Sequence, residues 1–421
     1  LFSFHSLIIS QWSSPLVISE HPVSDIKFAD NNLGWTCIQG GFTFSSYGEF
    51  LRSTNGGNNW TIIASGLIAY AEMSFINSNS GWIIGGSGTD IPGSSRSYIF
   101  KTTNAGQHLV EIKRDSANFK YYTSVCFINE NTGLVSGNKL IYKTSNGGMN
   151  FINVAIDTTI VYNKIRFADP NTGYVVAGFG NSLLKTINGG ANWLTVQIGS
   201  PIVINTLQVL NPENIILGGN NGKIKISSNG GNTWDTMTIN SSGPVNSVFF
   251  INYNSGWVNV NSSIYRTSNR GVNWLLQNST NTLPIRSIFF LDSNTGWAAG
   301  GLGDPIRLGM IIKTTNGGLT SINELTNNIP NDFKLSQNFP NPFNPVTNIK
   351  YEIPKDVNVS IKIYDILGRE VFSFNEYKKA GSYEVQFDGS NFASGMYFCK
   401  MVAETSQRDV FTDTKKMVLL K

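Results

Sequence analysis

The sequence predicts an all-β protein in which a seven-bladed β-propeller precedes a small Ig-like antiparallel β-sandwich. Three observations lead to this prediction: a nine-residue segment recurs seven times, a strand–turn–strand signature precedes each copy, and the residue pattern changes near residue 329. The composition agrees, because 42 glycines and 12% aromatic residues accompany only 14% charged residues. Turn-forming residues mixed with aromatic and β-branched residues are typical of strands joined by tight turns.

The recurring segment, which we term the box, reads KTINGGANW at residues 185–193. Its glycines resemble those of a phosphate-binding loop, but a strand-like run follows each box, and a phosphate loop requires a helix there. Asn-Gly between two strands instead predicts a hairpin, since both residues tolerate a positive φ. The other six boxes lie at residues 52–60, 101–109, 143–151, 226–234, 266–274 and 313–321.

Every box keeps a Ser or Thr, an Asn two residues later and a Gly two residues after that. We expect the hydroxyl and the Asn side chain to fix the hairpin by bonding to nearby backbone groups. The aromatic residue that ends most boxes should be buried between neighbouring blades. The structural asparagines of the seven boxes are Asn55, Asn104, Asn146, Asn188, Asn229, Asn269 and Asn316.

Each box belongs to a unit of four predicted strands. A signature such as IFFLDSNTGWAAGG at 288–301 gives two strands joined by an Asp/Asn-rich turn. A third strand enters the box and a fourth leaves it. Four short strands in about 43 residues are typical of one propeller blade, so seven units predict seven blades.

One box lacks its aromatic residue, and one Trp lacks a box. The seventh box ends in Ser321, whereas Trp12 precedes Phe28 by the same 16 residues that separate Trp193 from Val209. We therefore expect residues 11–19 to supply the outer strand of the last blade and to close the ring without a covalent link. The alternative is that Trp12 merely lies near the start of the mature chain.

The pattern S/T-x-N-x-G-x-x-W resembles the Asp-box (BNR) repeat, with Asn at the usual Asp position. Together with the strand-pair signature, it is similar to the propellers of the photosystem II stability/assembly factor-like family over residues 11–322. The resemblance implies the propeller fold. It implies no particular ligand, because many secreted bacterial proteins carry such propellers.

The C-terminal segment follows a different pattern. The stretch QNFPNPFNP at 337–345 precedes alternating apolar strands, which predict a small antiparallel sandwich. With YDILGREV at 364–371, SGMYFCKM at 394–401 and KKMVLLK at 415–421, it resembles the type A C-terminal sorting domain of the type IX (Por) secretion system. The resemblance implies export through the periplasm of a Bacteroidota-type bacterium to the cell surface or the medium. An ordinary Ig-like accessory domain is the alternative.

These patterns divide the chain into four parts. The apolar residues 1–10 are too short to span a bilayer and resemble a signal-peptide remnant, although a first strand is the alternative. The propeller follows at 11–322, then a linker at 323–335 and the sorting domain at 336–421, through which the secretion machinery becomes a partner. No other run approaches transmembrane length, so we expect no membrane span.

Charge and side-chain chemistry exclude several classes of function. A net charge of +4 without a cluster of Lys and Arg argues against nucleic-acid binding. The three histidines are too dispersed for a zinc site, and we expect no metal and no cofactor. The scattered Cys37, Cys126 and Cys399 are expected to be buried free thiols, and the protein to be a monomer.

An enzyme is the main alternative to a binding protein. Sialidases also use Asp-box propellers, and by family resemblance they need three arginines that converge on a carboxylate. Here Arg52, Arg266 and Arg270 lie at boxes, where we expect them on a solvated peripheral face, and no Ser/His/Asp order stands out. We therefore predict no catalytic residues, with a sialidase-like glycoside hydrolase as the alternative.

The predicted binding region rests on loop length. Connections between second and third strands are long in blades 7, 1 and 2, which become neighbours when the ring closes. Loops on a rigid scaffold often bind ligands, so we expect a non-catalytic binding module for a glycan or protein. Neutral insertions are the alternative. The residues of this loop patch are Phe42, Phe44, Tyr47, Asp90, Arg96, Tyr98, Asp304 and Arg307.

Overall fold

A computed structural model gives the fold of the chain as two compact units, Leu1–Gly318 and Leu319–Lys421. The regular elements of the described residues are all β-strands. The part of the chain that the structure describes contains no helix that is long and apolar enough to cross a membrane. The structure describes residues 12–40, 47–87, 96–116, 121–178, 180, 182–199, 202–239, 241–279, 283–303, 306–318, 330, 332–404 and 410–420, so the predicted signal-peptide remnant lies outside it.

The N-terminal unit contains seven antiparallel sheets of four strands, which confirms the predicted seven-bladed propeller. Blades 1 to 6 each use four consecutive strands, and blade 7 takes its outer strand from the start of the described chain. Blade 1 consists of Val23–Phe28, Gly34–Gln39, Gly48–Ser53 and Thr61–Gly66; blade 2 of Ala69–Phe75, Gly81–Ser87, Arg96–Thr102 and Val110–Asp115; blade 3 of Tyr122–Phe127, Gly133–Gly137, Leu140–Thr144 and Ile152–Asn153; blade 4 of Tyr162–Phe167, Gly173–Ala177, Ser182–Thr186 and Leu194–Val196. Blade 5 consists of Ile204–Val209, Ile215–Gly219, Lys223–Ser227 and Asp235–Thr238; blade 6 of Val245–Phe250, Gly256–Val260, Ser263–Thr267 and Leu275–Ser279; blade 7 of Ile285–Phe290, Gly296–Leu302, Leu308–Thr314 and Leu16–Ser19.

The ring is closed by strand pairing within blade 7. Leu16–Ser19 runs antiparallel to Leu308–Thr314, with Leu16 opposite Ile311. The Ser13 amide extends this pairing by donating to the Lys313 carbonyl at 2.7 Å. The two ends of the propeller are therefore joined by backbone hydrogen bonds.

Trp12 occupies in blade 7 the place that a box Trp occupies elsewhere. Its side chain is 3% exposed, and its ring meets that of Phe290 edge-on at 5.8 Å. In the same way, the box residue Trp60 meets Phe28 edge-on at 5.9 Å within blade 1. The pairs Trp193–Phe167 and Trp274–Phe250 repeat this arrangement in blades 4 and 6.

Aromatic stacking joins neighbouring blades. Trp297 in the second strand of blade 7 stacks on Phe28 in the first strand of blade 1, with ring centres 3.6 Å apart. Its indole N–H also donates to the box carbonyl of Gly56 at 3.0 Å. Such pairs bury large apolar surfaces while satisfying the indole donor. Stacking of the same kind joins Trp35 to Phe75, Trp82 to Phe127 and Trp257 to Phe290.

The C-terminal unit is a sandwich of two antiparallel sheets, as predicted. Burial alternates along its strands, so that one face of each sheet forms the core. Lys334–Leu335 already pairs with the strand that follows, and this unit therefore begins before residue 336. One sheet contains Lys334–Leu335, Val346–Ile353 and Gly381–Asp388; the other contains Glu370–Lys378, Val357–Asp365, Gly395–Glu404 and Val410–Leu419.

Candidate functional site

The boxes are hairpins held by one repeated set of side-chain hydrogen bonds. In the box at 185–193, the Thr186 hydroxyl donates to Asn188 Oδ1 at 3.0 Å and accepts from the Gly190 amide at 2.9 Å. Asn188 Oδ1 also accepts from the Asn192 amide at 2.9 Å. The Ser/Thr, Asn and Gly partners repeat in the other six boxes. These groups are engaged in the turn itself.

The backbone of the box differs from the predicted Asn-Gly turn. The two residues after the Asn have positive φ, namely 67° at Gly189 and 87° at Gly190, whereas the Asn itself does not. The Asn acts through its side chain, as a hydrogen-bond acceptor. At the second Gly the packing is also tight, because a Cβ on Gly106 would lie 2.4 Å from Nε1 of Trp35 in the preceding blade.

The expectation of a solvated face holds for the box arginine Arg270, which is exposed, but not for Arg266, which is buried, or for the half-buried Arg52, which connects two blades. Arg52 Nε donates to the Ala105 carbonyl in the next box at 2.8 Å. Arg266 is 7% exposed and lies 5.1 Å from the ring centre of Trp257. Arg270 stacks on a Tyr of its own blade. These arginines are engaged in blades 1 and 6 and do not form the arginine cluster of a sialidase.

The loop patch predicted from the sequence is only partly described. Phe42, Phe44, Asp90 and Asp304 lie outside the described residues. Of the rest, Arg96 and Arg307 are exposed, and the Tyr47 hydroxyl donates to Glu49 Oε1 at 3.2 Å. Tyr98 lies within a strand, is 6% exposed and belongs to the core between blades 1 and 2, because the hairpin extends further than expected.

The first strands of the blades line a central channel. A cavity of about 180 Å³ within it is bordered by first-strand residues of six blades. A wider depression of about 580 Å³, the channel mouth, opens at the side of the first hairpins, which include Asp30 and Asn77. The mouth is lined by charged and apolar side chains, among them Lys27, Arg166 and Phe289.

Two repeated positions of the first strand border this channel, and they differ from blade to blade. Alternate residues of a strand share one face, so the two positions project to the same side. The residue before the last of each first strand is, in blade order, Lys27, Ser74, Cys126, Arg166, Gln208, Phe249 and Phe289. The residue two positions earlier is Asp25, Glu72, Ser124, Lys164, Thr206, Ser247 and Ser287.

Salt bridges cross the channel from blade 2 to blade 4. Glu72 is 5% exposed and pairs with Arg166 and, at 3.4 Å, with Lys164. Burial alone would raise the pKa of Glu72, but the two cations lower it to about 2. The carboxylate is therefore ionised at neutral pH, whereas a glycosidase acid needs a raised pKa.

Asp25, the second channel carboxylate, is also engaged by its neighbours. It accepts hydrogen bonds from the Met73 amide at 3.1 Å and from the Ser287 hydroxyl at 3.0 Å. Lys27 Nζ lies 3.7 Å from the same carboxylate. These contacts link blades 7, 1 and 2 around the channel.

The channel mouth combines cations with aromatic rings. The Phe289 ring of the mouth lies 5.2 Å from the ring of Phe249, which borders the smaller cavity, and Lys27 Nζ lies 5.7 Å from the centre of the Phe289 ring. Cys126, half-buried at the same mouth, has a pKa that burial raises. The free thiols Cys37 and Cys399 are buried. No cluster of potential metal ligands occurs among the described residues.

Sequence reasoning missed Lys27, Arg166, Phe249 and Phe289. A signal was present, because the seven aligned first strands keep their final apolar residue and vary the residue before it. Varying positions within an otherwise regular repeat can carry binding, while the regular positions carry the fold.

Two family models match the chain. A model described as photosynthesis system II assembly factor YCF48 matches residues 143–288, and a model described as secretion system C-terminal sorting domain matches residues 337–418. The chain joins a YCF48-like propeller to a secretion system sorting domain. Both resemblances drawn from the sequence are thereby confirmed, and the sorting domain indicates type IX secretion.

Solved structures support the same fold. A chain described as YCF48 bound to D1 peptide has a TM-score of 0.58 and 16% identity, covering 73% of this chain and 97% of its own. PorZ of Porphyromonas gingivalis, a surface component of the type IX secretion system, has a TM-score of 0.53 and 12% identity over 95% of this chain and 60% of its own. A GH74 xyloglucanase from Xanthomonas campestris has a TM-score of 0.55 and 10% identity over 80% of this chain and 59% of its own.

Identities this low show the fold alone, and the fold is shared by an enzyme and by proteins described without an activity. No curated protein matches the chain significantly. A function for the YCF48-like propeller must therefore be argued from its own residues.

Proposed function

We propose that this chain is an exported, non-catalytic binding propeller whose ligand occupies the channel mouth. The observation that carries the proposal is the depression of about 580 Å³ in which Lys27 and Arg166 accompany Phe289. Concave sites that combine apolar rings with a few charged groups are the usual form of ligand sites. The ligand that fits is a glycan or protein segment with an anionic group and an apolar face.

Export supplies the setting of this binding role. The sorting domain of residues 336–421 engages the type IX secretion machinery after passage through the periplasm of a Bacteroidota-type bacterium, and the mature protein is released or stays at the cell surface. The fold shared with PorZ, itself described as a surface component, supports this setting. We further propose that the propeller acts as a monomer, without nucleic acid or cofactor.

Truncation tests the export step. A stop codon at position 336 should leave the protein in the periplasm, while the full-length chain should be found on the surface or in the medium. Cell fractionation with protease accessibility distinguishes the two locations. Normal surface display of the truncated chain would contradict the assignment of residues 336–421. Size-exclusion chromatography of the purified protein tests the monomer.

Glycan and peptide arrays probed with the purified full chain test the binding role. We expect Lys27→Gln and Phe289→Ala to weaken any specific signal roughly tenfold, the loss expected for one charged or aromatic contact. Lys139→Gln, on an exposed turn of blade 3, is the matched control. Thermal unfolding of each variant separates loss of binding from loss of fold.

The same variants distinguish the channel mouth from the loop patch. Arg96→Gln and Arg307→Gln change the loop patch without changing the mouth. If these two variants lose the array signal and Lys27→Gln keeps it, the loop patch binds the ligand and our proposal is wrong. Turnover of a fluorogenic sialoside by the purified propeller would favour the glycoside hydrolase instead.

A further inference from the structure

We propose that the interior of the channel contains a second site, which binds a small oxyanion through Arg286. This site goes beyond the ligand proposed for the mouth. Arg286 lies near the start of the first strand of blade 7, and it borders the cavity of about 180 Å³ but not the depression at the mouth. Asn246 and Ser24, from the flanking blades 6 and 1, border the same cavity.

Among the charged side chains that border the cavity, one cation has no ion-pair partner. Both carboxylates are engaged with other groups: Asp25 with Lys27, Met73 and Ser287, and Glu72 with the two cations of blade 4. No hydrogen bond or ion pair joins Arg286 to another described residue. The charged side chains that border the cavity are Asp25, Lys27, Glu72, Lys164, Arg166 and Arg286.

The setting of Arg286 favours an anion. Its side chain is exposed to the solvent of the channel, and partial desolvation by the surrounding blades lowers its pKa. A guanidinium keeps its proton in proteins, so Arg286 remains a cation with which an anion can pair. Charge interactions are also stronger in a narrow channel than on an open surface.

The geometry of a guanidinium restricts the ligand to an oxyanion. Its planar fork of N–H donors matches a carboxylate or phosphate group, which it binds through two parallel hydrogen bonds. The cavity of about 180 Å³ suits such a group and little more. The anion is therefore a free inorganic ion or the acidic end of a larger ligand, such as a sugar acid.

Calorimetric titration of the full chain tests the site, with inorganic phosphate and glucuronate as two separate probes and glucose as the neutral control. We expect saturable binding of at least one anion and none of glucose. Arg286→Gln should weaken that binding about tenfold or more, and Arg286→Lys should weaken it less, because a charge remains. Binding of phosphate alone indicates a free inorganic ion, and binding of glucuronate indicates a carboxylate ligand.

A control variant and a stability measurement keep the test specific. Lys139→Gln changes an exposed cation outside the channel and should leave the anion affinity unchanged. The melting temperature of Arg286→Lys verifies that the channel remains folded. Equal affinity of the wild type and Arg286→Gln, or no saturable binding of either anion, would overturn the inference. Loss of the array signal in the variants of the channel mouth would not overturn this inference, because that result concerns only the first site.

Discussion

In the propeller, the boxes and the first strands each supply one set of equivalent residues per blade, but the two sets behave differently. At the box, Thr186, Asn188 and Gly190 have chemically similar counterparts in every blade, and these make the same hydrogen bonds. In the channel, the residue before the last of the first strand is Lys27 in blade 1 and Phe289 in blade 7. The repeated set builds the blade, and the varied set distinguishes one side of the channel from another.

The contrast is not complete, because some channel side chains also join blades. The Phe127 amide donates to Ser74 Oγ at 2.9 Å, and the Ile288 amide donates to Ser247 Oγ at 3.1 Å. These bonds satisfy backbone groups of the next blade beside the channel. Lys27, Phe289 and Arg286 make no such bond among the described residues, which leaves their side chains available to a ligand.

Removing the closing strand should have the largest effect on the repeated framework. Deletion of residues 12–19 leaves blade 7 with three strands and exposes the ring of Phe290, so we expect loss of cooperative unfolding. Urea unfolding followed by circular dichroism measures this. Val17→Thr, at a position 57% exposed in the same strand, is the control. An unchanged urea unfolding curve after the deletion would show that the ring does not need this strand.

Substitution of a box glycine should cause the next largest loss of stability. Gly106→Ala adds a Cβ at a φ of 74°, only 2.4 Å from Nε1 of Trp35, and should cost about 3 kcal/mol of unfolding free energy or more. Gly178→Ala is a matched control, since its φ is 63° and no atom lies within 4 Å of the added Cβ. It should cost only about 1–2 kcal/mol. Equal losses in the two variants would exclude close packing as the reason for the box glycine.

The channel ion pair should make a pH-dependent contribution of intermediate size to the free energy of unfolding. The pKa of Glu72 falls from 4.5 to about 2 on folding, so the pair stabilises the fold by roughly 3 kcal/mol above pH 4.5. This contribution is lost as the pH falls from about 4.5 to about 2. The difference in unfolding free energy between the wild type and Glu72→Gln should therefore shrink over that range in urea unfolding. A difference independent of pH would contradict the ionised pair.

Loss of a box hydroxyl should lower the stability of the fold the least of these four changes. Thr186→Val keeps the shape of the side chain but removes the acceptor of the Gly190 amide, at an expected cost of about 1–2 kcal/mol. Thr195→Val, on the exposed outer strand of the same blade, should change the stability by less than about 0.5 kcal/mol. Chemical denaturation measures both. If the two variants lose equal stability, the hydroxyl does not hold the box.

The framework could be predicted from the sequence because its signals are local and repeated. The spacing of the boxes gives the number of blades, and the spacing from Trp12 to Phe28 indicates a strand without a box. The channel could not be predicted in the same way. Lys27 and Phe289 are neighbours only because the ring closes, and the residue at their strand position changes from blade to blade without a regular pattern. Tyr98 was misplaced for a related reason, since strand pairing with Gly85 draws it into the core.

A paired measurement of stability and binding tests most directly whether the boxes maintain the fold while the channel binds the ligand. Melting temperature and array signal would be recorded side by side for the full chain carrying Thr186→Val or Lys27→Gln. We predict that Thr186→Val lowers the melting temperature and keeps the array signal, while Lys27→Gln keeps the melting temperature and loses the signal. The opposite result, with binding lost at the box and stability lost at the channel, would contradict this division.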